Sequence, residues 1–394
     1  MTTFVATAPR RITIDKLGVL LAVVAAVAAA LPFAAFRANR IVAGVSKGIF
    51  EALPAWEAGL LALAFAAAII VALLKTPNLW RLIASLAMLA FLFVAIGHAA
   101  SFLTPTGDKL ARVSPGAGFW LAIFAFALLV ADSFTRLKLA PWLRIVTLLL
   151  VAAAIALLLW SGTWNSLSIL KEYANRDDAF WREGQTHIAL ALGSLAAATV
   201  VGIPLGILCQ RVAGLRAVVL NVLNAVQTIP SIALFGLLIA PLAWVAANVP
   251  GASAIGISGI GAAPAMVALF AYSLLPVVAN TVVGLEGVPP AATDAARGMG
   301  MTNGQRLVQV EFPLAFPVIL TGIRIVLVQN IGLATIAALI GGGGFGVFVF
   351  QGVGQTAMDL VLLGAVPTVA LAFAAAVILD AIVEMISTRS PPHD

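Results

Sequence analysis

The chain has 394 residues, of which 62% are hydrophobic and only 10% charged, and its mean hydropathy is +1.10. Soluble domains carry roughly 25% charged residues, so a water-soluble globular class is excluded, and long unbroken apolar runs exclude the short alternating segments of a β-barrel. The net charge of +6 sits in segments beside apolar runs, so it reports membrane topology and not nucleic-acid binding; the single Cys209 excludes a disulfide framework and thiol-rich metal sites.

A hydrocarbon core of about 30 Å needs roughly 20 apolar residues rising about 1.5 Å each. Runs of that kind predict an all-α polytopic membrane protein with about ten transmembrane helices, at about 17–36, 57–74, 82–103, 117–132, 142–160, 187–208, 217–240, 262–284, 314–338 and 361–386. Arg10, Arg11 and Lys16 precede the first run as they would in a signal sequence. That run is long for a signal peptide and no small-residue cleavage site follows it, so it reads as a retained span. Lys and Arg favour the cytoplasmic side. With the N-terminus inside, the inside loops carry Arg10, Arg11 and Lys16, then Lys75 and Arg81, then Arg136, Lys138 and Arg144, then Arg211 and Arg216, then Arg297 and Arg306, and finally Arg389. The outside segments 241–261 and 339–358 have no charge, while 37–51, with Arg37, Arg40 and Lys47 against Glu51, dissents. The balance gives an N-in, C-in multi-pass membrane protein.

The polar stretch 162–186 separates two halves. It predicts a five-span N-terminal extension at 1–161, an extracytoplasmic linker at 162–186, a core at 187–388 and a cytoplasmic tail at 389–394. Polar groups in lipid are costly and usually face a bundle interior or a pathway. The second half carries them: Gln227, Thr228, Pro230 and Ser231 in one span, Asn280 in the next, and Gln329 and Asn330 beyond. These are the candidate translocation-pathway residues. A kinked packing helix at Pro230 and plain interhelical hydrogen bonds from Asn280, Gln329 and Asn330 are the competing structural readings. Arg324 reads as the one charge well inside a span, snorkelling or pairing near the cytoplasmic interface. His98 and His187 stand apart near span ends, which gives no metal site and no catalytic cluster.

Between the spans at 262–284 and 314–338 lies a polar segment, 289–313. Pro289 and Pro290 suit a first helical turn, Ala291–Arg297 has good helix formers, and Gly298 and Gly300 suit a helix stop and close turn. Thr302 and Gln305 have the spacing of a capping box for a second short helix ending near Pro313. The expected product is a helix–turn–helix, with Ala295 and Ala296 as a small docking surface and Asp294 and Arg297 as orienting charges.

Asp294-Ala295-Ala296, three residues, Gly300, nine residues, Val310, one residue, Phe312-Pro313 resembles the EAA loop of ATP-binding-cassette (ABC) importer permeases, EAA-x3-G-x9-I-x-L-P. Asp294, Val310 and Phe312 are conservative departures from it. The resemblance covers about 185–388. Within it, Val226-Gln-Thr-Ile-Pro-Ser-Ile-Ala-Leu-Phe and the run from Ala334 to Gly346 are similar to the osmoprotectant branch, importers of glycine betaine, choline, carnitine or proline betaine. What the resemblance implies is a non-enzymatic five-helix permease core whose cytoplasmic EAA coupling loop, through Asp294, Ala295, Ala296, Arg297, Gly300, Phe312 and Pro313, docks on one subunit of a cytosolic ATPase dimer. It further implies a periplasmic solute-binding protein and a second permease subunit, identical or different. The chain has no GxxxxGK[ST] phosphate loop, so it needs no cofactor of its own, and ATP and Mg belong to the partner. Tyr272 and Trp244 are too few for an aromatic cage around a quaternary ammonium, which places selectivity in the binding protein. A permease for another small solute, such as an amino acid, is the alternative within the class. An autonomous secondary transporter would need ionisable groups at midplane, and a membrane enzyme clustered His, Asp or Glu.

Overall fold

The computed structural model describes residues 14–40, 42–108 and 110–387. Arg10, Arg11, Arg389 and the tail 389–394, used above for topology and boundaries, lie outside the described residues. The chain divides into two compact units, one of residues up to 140 plus 150–171, the other of 141–149 plus residues from 172 onward.

The first unit contains α1 (Lys16–Ala30), β1 (Ala34–Arg37), β2 (Val45–Lys47), α2 (Ile49–Ala52), α3 (Ala55–Leu73), α4 (Asn78–Leu103), β3 (Arg112–Pro115) and α5 (Ala117–Leu137). The helices α6 (Pro141–Trp160) and α7 (Ser168–Ala174) are shared between the units. Among the described residues nine helical stretches are long and apolar enough to cross a membrane, and α3, α4, α5 and α6 are four of them. The first expected span, 17–36, is shorter than its hydropathy suggested. α1 has 15 residues, about 22 Å at 1.5 Å each. It stops because Leu31, held by the following Pro32, is extended (φ −82°, ψ 161°). The core between α1, α3, α4 and α5 is built from small residues such as Ala25, Ala28, Ala68 and Ala122 around Leu61, Phe65, Leu92, Phe126 and Leu129, which lets backbones approach closely.

The dissenting basic segment 37–51 is not a membrane flank of the ordinary kind. Its Arg37 and Lys47 belong to a three-stranded antiparallel sheet of order β2-β1-β3, with Ala34 opposite Lys47 and Phe36 opposite Val113. Lys47 lies 3.6 Å from Glu51.

At the opposite ends of these helices, charges meet in the interior. Asp15 caps α1 through the Gly18 N–H (2.9 Å) and accepts from Arg81 Nη1 (2.9 Å) and Arg136 Nη1 (2.6 Å). Arg136 Nε also donates to Asp132 (2.9 Å). Arg81 is 1% exposed, a position tolerable only because the arginine is paired. Burial pushes the Asp15 carboxyl up, but the Gly18 N–H and the two guanidinium groups outweigh it and hold it far below the usual carboxylate range. A carboxylate lowered in the folded state contributes stability above its unfolded pKa of about 3.9 and loses it as pH falls through the folded value. Thermal unfolding scans should therefore show the Asp15 contribution intact from neutral pH down to about 4 and eroding only below it, and D15N should abolish that erosion.

The second unit contains α8 (Asp177–Arg211), α9 (Ala213–Thr228), α10 (Ser231–Leu237), α11 (Ile239–Asn248), α12 (Ala262–Glu286), α13 (Pro290–Gly298), α14 (Asn303–Arg306), α15 (Phe312–Leu333), α16 (Gly346–Gly354) and α17 (Met358–Ser387). Two segments differ from expectation. The stretch read as a linker, 162–186, holds α7 and the first ten residues of α8. The expected span 217–240 is broken, because Ile229, before Pro230, leaves the helical region (φ −69°, ψ 126°) and the helix restarts at Ser231. At the centre of the unit α8 and α12 cross closely. A Cβ on Gly206 would come within 2.6 Å of Thr281, so only glycine admits this approach.

Candidate functional site

The segment 289–311 folds as its local signals dictate. Pro289 caps α13 and Pro290 takes its first position, where a missing N–H costs nothing. The helix ends in a Schellman turn: the Gly300 N–H donates to Arg297 O (2.9 Å) and the Met301 N–H to Ala296 O (3.1 Å). Gly300 sits at φ +78°, a conformation that suits glycine. Thr302 and Gln305 then form a reciprocal capping box at the start of α14.

The second helix does not end near Pro313 as expected. It widens into a π turn, Leu307–Glu311, in which the Phe312 N–H donates to Leu307 O, and continues unbroken into α15. Pro313 has no N–H and its ring crowds the carbonyl four residues back. The wider turn just before it relieves that conflict. The loop is thus a rigid extension of a membrane helix.

The motif residues fall into two sets. Asp294 and Arg297 are exposed and paired with each other at 3.2 Å, and Ala295, Gly300 and Pro313 are also exposed. Ala296 is buried at 1% exposure, unlike the docking surface expected of it, and α13 packs near the 307–311 turn. Phe312 is half-buried against a cluster of Leu285, Val288, Ala315 and Ile319, so it anchors the loop.

The strongest anchor went unnoticed in the sequence. Glu311, 6% exposed, accepts from Arg306 Nε (2.6 Å) through one carboxylate oxygen and from Arg211 Nη2 (2.6 Å) through the other. Arg306 is itself 5% exposed. The carboxylate therefore ties α14 to the C-terminal end of α8, 100 residues away in sequence. Arg216 pairs with Glu286 at the end of α12.

The candidate pathway residues are mostly bound to the bundle. Pro276, inside α12, cannot donate to Tyr272 O, and that carbonyl is taken by Gln227 Nε2 (2.8 Å). In return the Tyr272 hydroxyl donates to Ile229 O at the α9–α10 break. Two proline-disrupted helices thus satisfy each other's freed carbonyls. Thr228 bonds Ala225 O (2.7 Å) and Asn280 bonds Pro276 O (2.8 Å). Asn330 is fully buried and donates to Ser194 Oγ (2.8 Å) and Ser273 Oγ (2.9 Å), joining α15 to α8 and α12. Asn330 and Gln227 are therefore hydrogen-bonded within the bundle. Pro230 is exposed, and Ser231 and Gln329 are half-buried. Arg324 pairs with Asp380, so it is not the sole charge at that depth; α17 carries Asp380 and Glu384 as well.

At the other end of the unit, the Gly-rich turn is pinned to α8. The Gly344 N–H donates to Glu183 Oε2 (2.9 Å) and the Phe345 N–H to His187 Nδ1 (3.3 Å). With Nδ1 accepting, His187 Nε2 carries the proton and donates to Ile331 O (2.9 Å). His187 is a structural histidine.

A bundle of membrane-length helices carrying an anchored two-helix polar loop fits a transport subunit, and likeness to known proteins identifies its class. The profile of the binding-protein-dependent transport system inner membrane component matches residues 202–390, and that of the ABC transporter permease YehY N-terminal domain matches 15–170. The osmoprotectant import permease protein OsmW of Salmonella typhimurium is 46% identical over 178 residues, 45% of this chain and 76% of the relative. The osmoprotectant import permease protein OsmY of the same organism is 41% identical over 212 residues, 53% and 81% respectively. The carnitine transport permease protein OpuCB of Listeria monocytogenes is 38% identical over 186 residues, 47% and 78%. The chain belongs to the family of binding-protein-dependent transport system inner membrane components, the permease subunits of ABC importers.

Removing the Glu311 charge leaves two arginines facing a neutral group in a largely dry site. E311Q should weaken the local attachment by about 3 kcal/mol, the low end for a broken buried pair because Arg211 is partly solvated. Hydrogen exchange should then quicken across 290–311 while α12 keeps its protection.

Proposed function

We propose that this chain is the translocation subunit of an importer for compatible solutes of the glycine betaine, choline and carnitine class. The observation that carries the reading is the division of the loop. Asp294, Ala295, Arg297 and Gly300 face outward on a rigid pair of short helices, while Ala296, Arg306, Glu311 and Phe312 lock the pair to α8, α12 and α15. An exposed face that cannot move independently of the membrane helices is what a force-bearing contact with a water-soluble partner requires. The names of the relatives support the solute class.

In this reading the loop is cytoplasmic, both termini are inside, and each loop docks on one subunit of an ATPase dimer that holds ATP and Mg. The chain performs no chemistry itself. A second permease, identical or different, completes the pathway, and an external binding protein delivers solute to the opposite face. ATP-driven closure of the ATPases displaces the docked face. Glu311 carries that displacement to α8, and the π turn carries it to α15. ATP and solute each bias the inward–outward equilibrium only through their differential affinity for its two states.

Two experiments test it. The detergent-solubilised chain should co-purify with a cognate ABC ATPase from its own organism, and uptake should require ATP; absence of association with ATP-independent uptake overturns the reading. Replacing Gly300 isolates the backbone, because a Cβ there meets nothing within 4 Å while φ stays at +78°. G300V should insert normally yet uncouple ATP hydrolysis from uptake, whereas G300N, which tolerates the left-handed region, should retain most coupling. Normal coupling in G300V would count against docking through this turn.

A further inference from the structure

Charge exposed at membrane depth is the feature that packing leaves unexplained. Between α15 and α17 lies an open groove of about 540 Å³, lined by Arg324 and Gln329 with Ile325 and Val328 on one wall, and by Val377 and Asp380 on the other. Arg324 stands twelve residues into α15, about 18 Å from its start. Its side chain is 33% exposed and that of Asp380 is 47% exposed. Lipid tails solvate neither group, so charges left open at this depth mark a face that water, a ligand or another subunit covers. The volume lies within the range of small-molecule sites, and apolar walls with a few convergent polar groups are their usual composition.

The charge balance is specific. Asp380 pairs with Arg324 and also with Arg144 Nη1 of α6 (3.1 Å), and Arg144 in turn reaches Glu384 (2.8 Å). Two arginines and two carboxylates sum to zero. A ligand with net charge would unbalance the set, whereas a zwitterion would not. When Arg324 turns to an incoming anion, Asp380 keeps Arg144 as its partner and stays compensated.

We propose that this groove is a solute subsite on the translocation pathway that reads both ends of a zwitterion. The solute carboxylate meets Arg324, its cationic end faces Asp380 with Glu384 behind, and its methyl groups lie against Ile325, Val328 and Val377. Recognition here runs through ion pairs, which is how a core with few Tyr and Trp accommodates a quaternary ammonium. The proposal rests on the transport reading above and assigns to Arg324 a role in solute selection.

The test uses the importer with its ATPase and binding protein, reconstituted in vesicles of phosphatidylglycerol and phosphatidylethanolamine. Uptake of glycine betaine, which has the carboxylate, is compared with uptake of choline, which lacks it. Arg324→Gln should lower the ratio of betaine to choline uptake about tenfold, the worth of one hydrogen bond to a charged group, and Arg324→Lys should restore most of it. Equal loss for both solutes overturns the proposal, since a purely structural pair would not discriminate. Loss of the second permease from the complex also overturns it, by making the groove a subunit interface. So does a ratio that follows phosphatidylcholine added in a parallel set of vesicles and not Arg324, by making the occupant a lipid headgroup. If the Arg324→Gln chain itself fails to fold and insert, Val328→Trp fills the groove without touching a charge. It should block both solutes in an assembled complex, and unimpaired uptake would overturn the proposal. A wild-type complex that binds no ATPase or transports neither solute refutes the underlying transport reading instead.

Discussion

Burying Glu311 between Arg306 and Arg211 is favourable only while all three charges stay together. That condition sets the mechanics of the second unit. Each arginine comes from a different element, so separating α14 from α8 strands a charge in a site with little water. The loop must therefore move as one body with the end of α8 and, through the continuous π turn, with α15. The Asp15, Arg81, Asp132 and Arg136 cluster applies the same logic at one end of the first unit, where α1, α4 and α5 are joined by charges that none could bury alone.

Rigidity at the loop is paired with deliberate interruption inside the bundle. α9 stops at Thr228, and Pro276 deprives the Tyr272 carbonyl of its helical partner. In hydrocarbon such carbonyls are expensive unless something else donates to them. Gln227 and the Tyr272 hydroxyl donate across the gap, so a break in one helix stabilises the break in the other. Segments held by side chains, not by a continuous backbone ladder, are those that can shift without unravelling a whole helix.

What the sequence disclosed follows the range of the interactions involved. The turn from Pro290 through Gly300 to Gln305 was legible because each determinant acts within about four residues: a proline at a first turn, a Schellman glycine, a capping box. Most membrane helices were legible from their apolar runs, while the short α1 and the break at Ile229 were not. Glu311 and Arg211 were not, because nothing local announces a partner 100 residues distant. Asn330 and Gln227 were recognisable as polar groups in lipid, but cost alone does not say whether the neighbour is a solute or a serine. The sheet escaped notice because strands of three or four residues leave no alternation to read. Asp380 was passed over inside an apolar run, and with it the partner of Arg324.

The π turn at Leu307–Glu311 has a geometric corollary. It accommodates one residue more than an α-helix would, and successive residues of a helix are rotated by about 100° around its axis. A family that kept the motif while gaining or losing a single residue between Gly300 and Pro313 would swing the outward face of α13 by about that angle and carry Arg306 away from its carboxylate. The nine-residue gap in the motif is thus a length standard: it sets the azimuth at which the loop meets whatever it touches.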